Sequence, residues 1–283
     1  MKSIWTKTAA LPAFSVLEGH QQADVAVIGG GLAGMLTAAA LRREGAEVVV
    51  VEADRIGGGQ TAGTTAKLTA QPGLKYHQLI QTLGAEAAGQ YARANLAAVE
   101  RLRQLVREWS IECDFQDCTS FLYAVGAPGP LEEEHDACLA LGMDVFLTRD
   151  TELPFAAQAL GLRNQACFHP LRLLAALAEG LTVYEHSRVL TVEEHALSTE
   201  RGSVSAERIV FACHYPFINV PGYYFMRMHQ ERSYVLALEN AAKLEGMYYG
   251  VDADGLSFRP QGDLLLLGGG NHRTGENSAG GQY

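Results

Sequence analysis

The chain has 283 residues, is 48% hydrophobic and 19% charged, and carries a formal net charge of −10. That length exceeds what one compact core usually holds, so two lobes with a cleft between them are expected. The acidic balance offers no basic stripe to a nucleic acid and is repelled by an anionic membrane surface. No apolar run approaches the roughly 20 residues of a bilayer span, so the composition points to small-molecule chemistry in the cytoplasm. Cys113, Cys118, Cys138, Cys167 and Cys213 form an odd set without a C-x-x-C pair, which reads as buried or incidental thiols rather than a disulfide framework.

Met1 to Gln22 carries Lys2 and Lys7, and its apolar stretch from Ala9 to Leu17 is broken by Pro12, so it reads as a lead-in arm rather than an export signal. Asp24 to Ile28 is a short apolar run ending at Gly29-Gly30-Gly31, the pattern of a buried strand entering a tight turn. From Leu32 to Glu44 the apolar residues recur at helical spacing. Arg42 and Arg43 occupy the last turn, where cations suit the helix dipole, and Gly45 ends it. Ala46 to Glu52 is a second buried strand, which completes a β-α-β unit with parallel neighbouring strands. Ala53 to Gly73 is a loop rich in Gly and Thr, and Leu74 to Trp109 has periodicity for one or two helices. Phe121–Val125, Leu181–His186, Arg188–Glu193 and Arg208–Ala212 read as strands, and Pro128–Leu141 and Leu171–Glu179 as helices. Met226–Leu238 reads as a long strand of a more antiparallel sheet, and Asp263–Leu267 as a short strand ending at Gly268–Gly270.

The expected fold class is α/β: a Rossmann-like nucleotide-binding domain with a parallel sheet, plus a second, mainly antiparallel α+β domain. The first is expected from residues 1–75 and 160–215, the second from 76–159 and 216–283.

Gly29-x-Gly31-x-x-Gly34 is a weak signal alone, since glycines gather wherever a strand doubles back. Its context strengthens it: the motif follows a strand, opens a helix, and precedes an acid, Glu52, at the tip of the next strand. In such a fingerprint Gly29 permits the turn, Gly31 lets backbone approach a pyrophosphate, and Gly34 allows helix to pack on strand. Free helix N–H groups favour the phosphates, and the carboxylate of Glu52 can accept from ribose hydroxyls while repelling a 2′-phosphate. Ala33 and Ala53 join the expected cofactor-binding set. NAD and FAD share this fingerprint, so the motif leaves both open.

The stretches ADVAVIGGGLAG, VVVVEADRIGGGQTAGTTAKLTAQ, FHPLRLLAALAEG, RIVFACHYPF, MRMHQERSYVLALE and GDLLLLGGGNHRTGE span Asp24 to Glu276. With them the chain resembles the D-amino-acid oxidase-like family of FAD-dependent oxidoreductases, most of all a bacterial branch in which some members carry a Rieske domain. The resemblance implies FAD as cofactor, with Gln60, Thr61, Thr65, Ala66 and Lys67 along the flavin phosphates and ring. It further implies that backbone at Val189 meets adenine and that Ala212 and Cys213 run beside the cofactor. In this family a hydride passes from an amine-bearing carbon to the flavin, so no dedicated catalytic base is demanded and none is nominated.

Arg227, His229, Arg232 and Tyr234, with Tyr223 and Tyr224 around them, are the candidate substrate contacts, because Arg grips a carboxylate with two parallel hydrogen bonds. Strand alternation puts Arg227 and His229 on one face and Arg232 and Tyr234 on the other; surface ion pairing is the competing reading for each arginine. His272 and Arg273 resemble a family segment near the flavin, with a glycine-rich hairpin turn as an equal reading. Glu132-Glu-Glu-His-Asp136 with Cys138 spreads its side chains around a helix, so a solvated face rather than a metal site is expected.

Family members usually continue past the glycine-rich segment with a strand and helix that close over the flavin, whereas this chain stops at Tyr283 and shows no Cys/His pattern for an iron–sulfur domain. It therefore reads as a shortened member or a fragment, with a partner chain or oligomer as a candidate to complete the site. The leading expectation is an FAD-dependent oxidoreductase acting on a small amine or amino acid. A catalytically silent flavin-binding scaffold and an NAD-dependent dehydrogenase are the alternatives.

Overall fold

The computed structural model describes residues 3–155, 157–218 and 222–274. The chain divides into two compact bodies, one formed by residues 1–64, 111–113 and 169–228 and the other by 65–110, 114–168 and 229–283. The first changeover falls after Thr64.

In the first body, six described strands lie in the order Thr182–Tyr184, Val48–Val51, Gly19–Ile28, Gly202–Phe211, Ala196–Ser198 and Thr191–Val192. The first four are parallel and the last two close the sheet antiparallel. Val25–Ile28 pairs with Val48–Val51 residue for residue, and all four valines of the latter are buried. Burying each such side chain contributes about 1.5–3 kcal/mol, which is why an unbroken valine run settles in the centre of a parallel sheet. Helix Leu32–Arg43 crosses between them and ends at Glu44, after which Gly45 turns the chain with φ +94°, an angle that favours glycine.

Several expectations need correction here. Gly202–Phe211 begins six residues before the apolar run at Arg208, because Gly202–Ala206 pairs with the N-terminal half of Gly19–Ile28. The strand expected over Arg188–Glu193 shrinks to Thr191–Val192. The lead-in arm carries a short helix, Ile4–Thr8, that buries Trp5 against His169 with ring centroids 4.8 Å apart.

In the second body, the sheet runs Glu231–Leu238, Leu264–Arg273, Ser257–Gln261, Met247–Gly250, Gln116–Ala124, Gln158–Cys167 and Lys67–Leu68, with Val145–Thr148 also pairing with Gln158–Cys167. All pairings are antiparallel except Met247–Gly250 with Gln116–Ala124. The strand Leu264–Arg273 passes through Gly268–Gly270 without turning, so the hairpin reading of that segment is wrong; its antiparallel partner extends pairing to Arg273. The long strand expected from Met226 begins only at Glu231, because Tyr223 adopts φ +44° and opens a single turn of 3-10 helix, Tyr224–Met226.

Tyr76–Glu108 is helical apart from Gly84, whose φ of +82° and ψ of 162° break it into two segments. Gly129–Ala140 packs beside it, and its acidic face is not wholly solvated as expected. Glu134 is fully buried and accepts backbone N–H bonds from Lys75, Tyr76 and His77 at 2.8–2.9 Å. A helix start leaves such donors unsatisfied, and this carboxylate supplies the acceptor.

Candidate cofactor site

The C-terminal ends of the parallel strands Gly19–Ile28 and Val48–Val51 and the first turn of Leu32–Arg43 open onto a cleft of about 780 Å³ in the first body. A crevice at the carboxyl ends of such strands is where open α/β sheets bind ligands.

The three fingerprint glycines meet different constraints. Gly29 has φ +111°, and a Cβ there would lie 2.6 Å from the Ala212 carbonyl oxygen. A Cβ on Gly34 would lie 1.9 Å from the Gly29 carbonyl oxygen, so this position lets the helix meet the strand and does not line the cleft. Gly31 does line it, and a Cβ there would approach only the Thr61 hydroxyl, at 3.4 Å. Backbone at Gly31 therefore faces open space at the positive end of a helix, the arrangement that receives a phosphate.

Glu52 stands at the rim of the cleft with one carboxylate oxygen accepting from the Gly30 N–H at 2.7 Å and the other from the Asp54 N–H at 2.9 Å. The acid holds the glycine turn in shape, a role the sequence pattern did not disclose. A carboxylate has about four lone-pair sites, so capacity for ribose hydroxyls remains. Thr61 is buried and its hydroxyl accepts from the Leu32 N–H at 3.2 Å, which pins the short helix Gln60–Gly63 to the start of the long one.

Ala33, Ala53, Gln60, Val189, Ala212 and Cys213 also line the cleft. So do Arg55, Arg188, Phe211, His214 and Phe217, which the sequence reading missed. Arg55 and Arg188 were legible only as charges near the ends of strands, while Phe211 and Phe217, with rings 6.0 Å apart, form a wall that needs tertiary structure to exist. Burial, then the charge of Glu52, pushes the Cys213 thiol up, so it faces the cleft as a neutral group.

Thr65, Ala66 and Lys67 belong to the second body. The Lys67 ammonium donates to the Tyr248 carbonyl at 2.6 Å and to the Ser257 hydroxyl at 2.5 Å. Burial, and next the nearby Arg259 guanidinium, bring its pKa down to about 7. Thr65 gives its carbonyl to the buried Arg259, and Ala66 takes φ +51°.

None of the four substrate candidates lines the first-body cleft. Arg227 follows the 3-10 turn in the first body, whereas His229, Arg232 and Tyr234 lie in the second. The alternation expected of Arg227 and His229 does not hold, because residues 227–230 are outside the strand; Arg232 and Tyr234 lie two apart within it, and the register shift between them is taken up by an extra residue of the facing strand. His229 contacts Glu231 at 3.4 Å, and Tyr234 stacks on His272 with centroids 5.8 Å apart. Tyr223 and Tyr224 are exposed, and Arg273 pairs with Glu231 across the strands. Among the described residues no cluster of His, Cys, Asp and Glu is arranged to hold a metal ion, and no helix is long and apolar enough to cross a membrane.

A parallel sheet with a glycine corner at a helix start and an acid on the next strand tip defines a dinucleotide-binding α/β protein. The model of the DAO family, FAD dependent oxidoreductase, matches residues 24–282, and the chain belongs to that family. It is 34% identical over 295 residues to YhfW of Bacillus subtilis (strain 168), which carries the provisional name Rieske 2Fe-2S iron-sulfur protein; the match covers 98% of this chain and 58% of that protein. It is 24% identical over 215 residues to the gamma-glutamylputrescine oxidoreductase of Escherichia coli (strain K12), covering 70% of this chain and 50% of the relative. The chain thus spans little more than half the length of these relatives. In fold it is similar to glycine oxidase from Geobacillus kaustophilus, with TM-score 0.71, 17% identity and coverage of 89% of this chain and 72% of the other. It is likewise similar to L-proline dehydrogenase from P. horikoshii, with TM-score 0.69, 16% identity and coverage of 92% and 72%.

The family's cofactor is FAD, and the cleft residues fit its adenosine diphosphate half: an open backbone corner for the diphosphate, a carboxylate for the ribose, and the apolar side chains of Val189 and Ala212 for the flanks.

Proposed function

We propose that the chain binds FAD in the first-body cleft and serves an oxidoreductase that acts on the CH–NH group of a small amine or amino acid. The observation that carries this reading is the open backbone at Gly31 beside the Glu52 carboxylate, within a fold shared with amine- and amino-acid-oxidising proteins.

FAD supplies hydride acceptance when bound; the chain supplies placement and charge. Gly29 and Gly34 shape the turn, and Gly31 with the helix start receives the diphosphate. Glu52 fixes the turn through Gly30 and takes the ribose hydroxyls on its remaining lone pairs, which also disfavours a 2′-phosphorylated nucleotide. Thr61 couples the Gln60–Gly63 helix to that corner. The second body is assigned the substrate, with no catalytic base nominated, since substrate orientation against the cofactor is the protein's main contribution. The acidic charge and the five thiols, none in a disulfide, favour a cytoplasmic setting.

The test is an anaerobic titration of the FAD-supplemented protein with candidate amines and amino acids, followed by visible absorbance. The expected result is a yellow protein whose flavin bands bleach with a CH–NH donor. A protein that stays colourless with FAD overturns the reading. Bound flavin that no donor bleaches favours a silent flavin-binding scaffold, and thermal stabilisation by NAD in place of FAD favours a dehydrogenase.

A further inference from the structure

The second body holds a thiol pair that the proposed redox chemistry does not use. Strand Gln116–Ala124 runs antiparallel to Gln158–Cys167, with Cys118 opposite Gln165 and Cys167 opposite Gln116. Directly opposed residues share a face and side chains alternate along a strand, so Cys118 and Cys167 are diagonal neighbours on one face of the sheet. The two thiols are close enough to shift each other's protonation in opposite directions.

Two cations flank this pair. Lys67 lies directly opposite Cys167 on its other side, so its side chain leaves the same face. The fully buried Arg259 donates to the Thr65 and Phe168 carbonyls and the Gln261 amide oxygen, and its charge, which Asp114 also faces, bears on both thiols. The neighbouring Cys118 thiol, with Arg259 behind it, holds the Cys167 thiol below the ordinary thiol range, while Cys167 and burial push Cys118 up. A low-lying thiolate next to a neutral thiol, in electropositive surroundings with one member partly exposed, is the setting of a reactive rather than an inert cysteine.

We propose that Cys118 and Cys167 form a redox-active dithiol that hydrogen peroxide oxidises to a cross-strand disulfide. The Cys167 sulfur attacks a peroxide oxygen, an S–O bond forms, the O–O bond breaks, and the leaving hydroxide takes a proton to depart as water. The Cys118 sulfur then attacks the sulfenic sulfur, the S–S bond forms, the S–O bond breaks, and a second water carries off the remaining thiol proton. Two thiols lose two electrons and the peroxide gains them. Diagonal neighbours have Cα atoms about 7–8 Å apart, whereas a disulfide prefers roughly 4.4–6.8 Å, so closure draws the strands together. The register shift between Cys118 and Ser120 is the place where the ladder yields.

The experiment treats the native protein with hydrogen peroxide, blocks remaining thiols by alkylation, and maps the digest by mass spectrometry. Expected is one cross-linked peptide pair joining Cys118 to Cys167, with two of the five thiols lost and both restored by dithiothreitol. Cys118→Ser is expected to arrest Cys167 as a sulfenic acid that dimedone traps, and Cys213→Ser to leave the cross-link unchanged. The proposal is overturned if all five thiols stay alkylatable, if Cys213 is consumed while the pair survives, or if Cys118→Ser loses thiols as the parent does. Should Cys118→Ser fail to fold, the peptide map of the parent protein decides alone.

Discussion

Gly31 and Gly34 carry the same side chain, three residues apart, under opposite constraints. At Gly34 the Gly29 carbonyl occupies the space of a Cβ, so Gly34→Ala forces the helix off the turn. The expected loss is about 3 kcal/mol or more of stability, read by denaturant or thermal unfolding. At Gly31 the backbone is extended, and the space beside it is open. Gly31→Val should therefore fold with stability within about 1 kcal/mol of the parent, yet lose roughly tenfold or more in FAD affinity, since its side chain fills the diphosphate corner. Flavin fluorescence titration reads the second effect; equal affinity in both proteins would place the diphosphate elsewhere. Trp5 is a third such residue. Its indole N–H donates to the Thr64 carbonyl at 2.7 Å, tying the lead-in arm to the end of the loop that lines the cleft. Trp5→Phe keeps an aromatic ring but removes this N–H donor and part of a buried side chain, at a cost of about 1–3 kcal/mol in unfolding free energy.

Secondary structure was legible wherever local chemistry alone chose it. The β-α-β unit at Asp24–Glu52 combines a valine run, glycines at the turn and cations at the helix end, and its features agree with one another. Gln158–Cys167 was not legible, because Arg163, Asn164 and Gln165 interrupt its apolar pattern. Arg163 is accommodated by an ion pair with Asp144 at 2.8 Å and Gln165 by accepting from the Ala70 N–H, both supplied by distant segments, while Asn164 takes φ +60°. Glu134 misled for the same reason, since nothing around it in sequence announces that the start of another helix covers it. Glu134→Ala should leave three helix-start donors without their acceptor and cost on the order of 3 kcal/mol. Circular dichroism and unfolding would show a less stable fold whose helix frays from Tyr76; an unchanged midpoint would deny the cap any weight.

The whole fold should respond to pH through Lys67. Its folded pKa is brought down to about 7, while an unfolded lysine keeps its proton to about 10.4. Between those values the unfolded state binds more protons, so stability rises with pH across the window, and the penalty is fully present below the folded value. The melting temperature should climb from about pH 7 to about pH 9. Cys167, held below the usual thiol range, adds a slope of the same sign, so the comparison with Lys67→Met isolates the lysine. That variant should gain stability relative to the parent at the acid end and show a shallower slope; an identical slope would remove Lys67 from the account.

Sequence alone determined the dinucleotide corner, because a glycine turn, a helix start and an acid on the next strand are joined by fewer than thirty residues of chain whose geometry is local. Tertiary structure alone decided that Glu52 buttresses the turn through Gly30, that residues 227–230 stay outside the strand that follows them, and that two cysteines far apart in sequence share a sheet face. Such contacts arise from strand register and burial between remote segments, and no local preference of the residues involved encodes them.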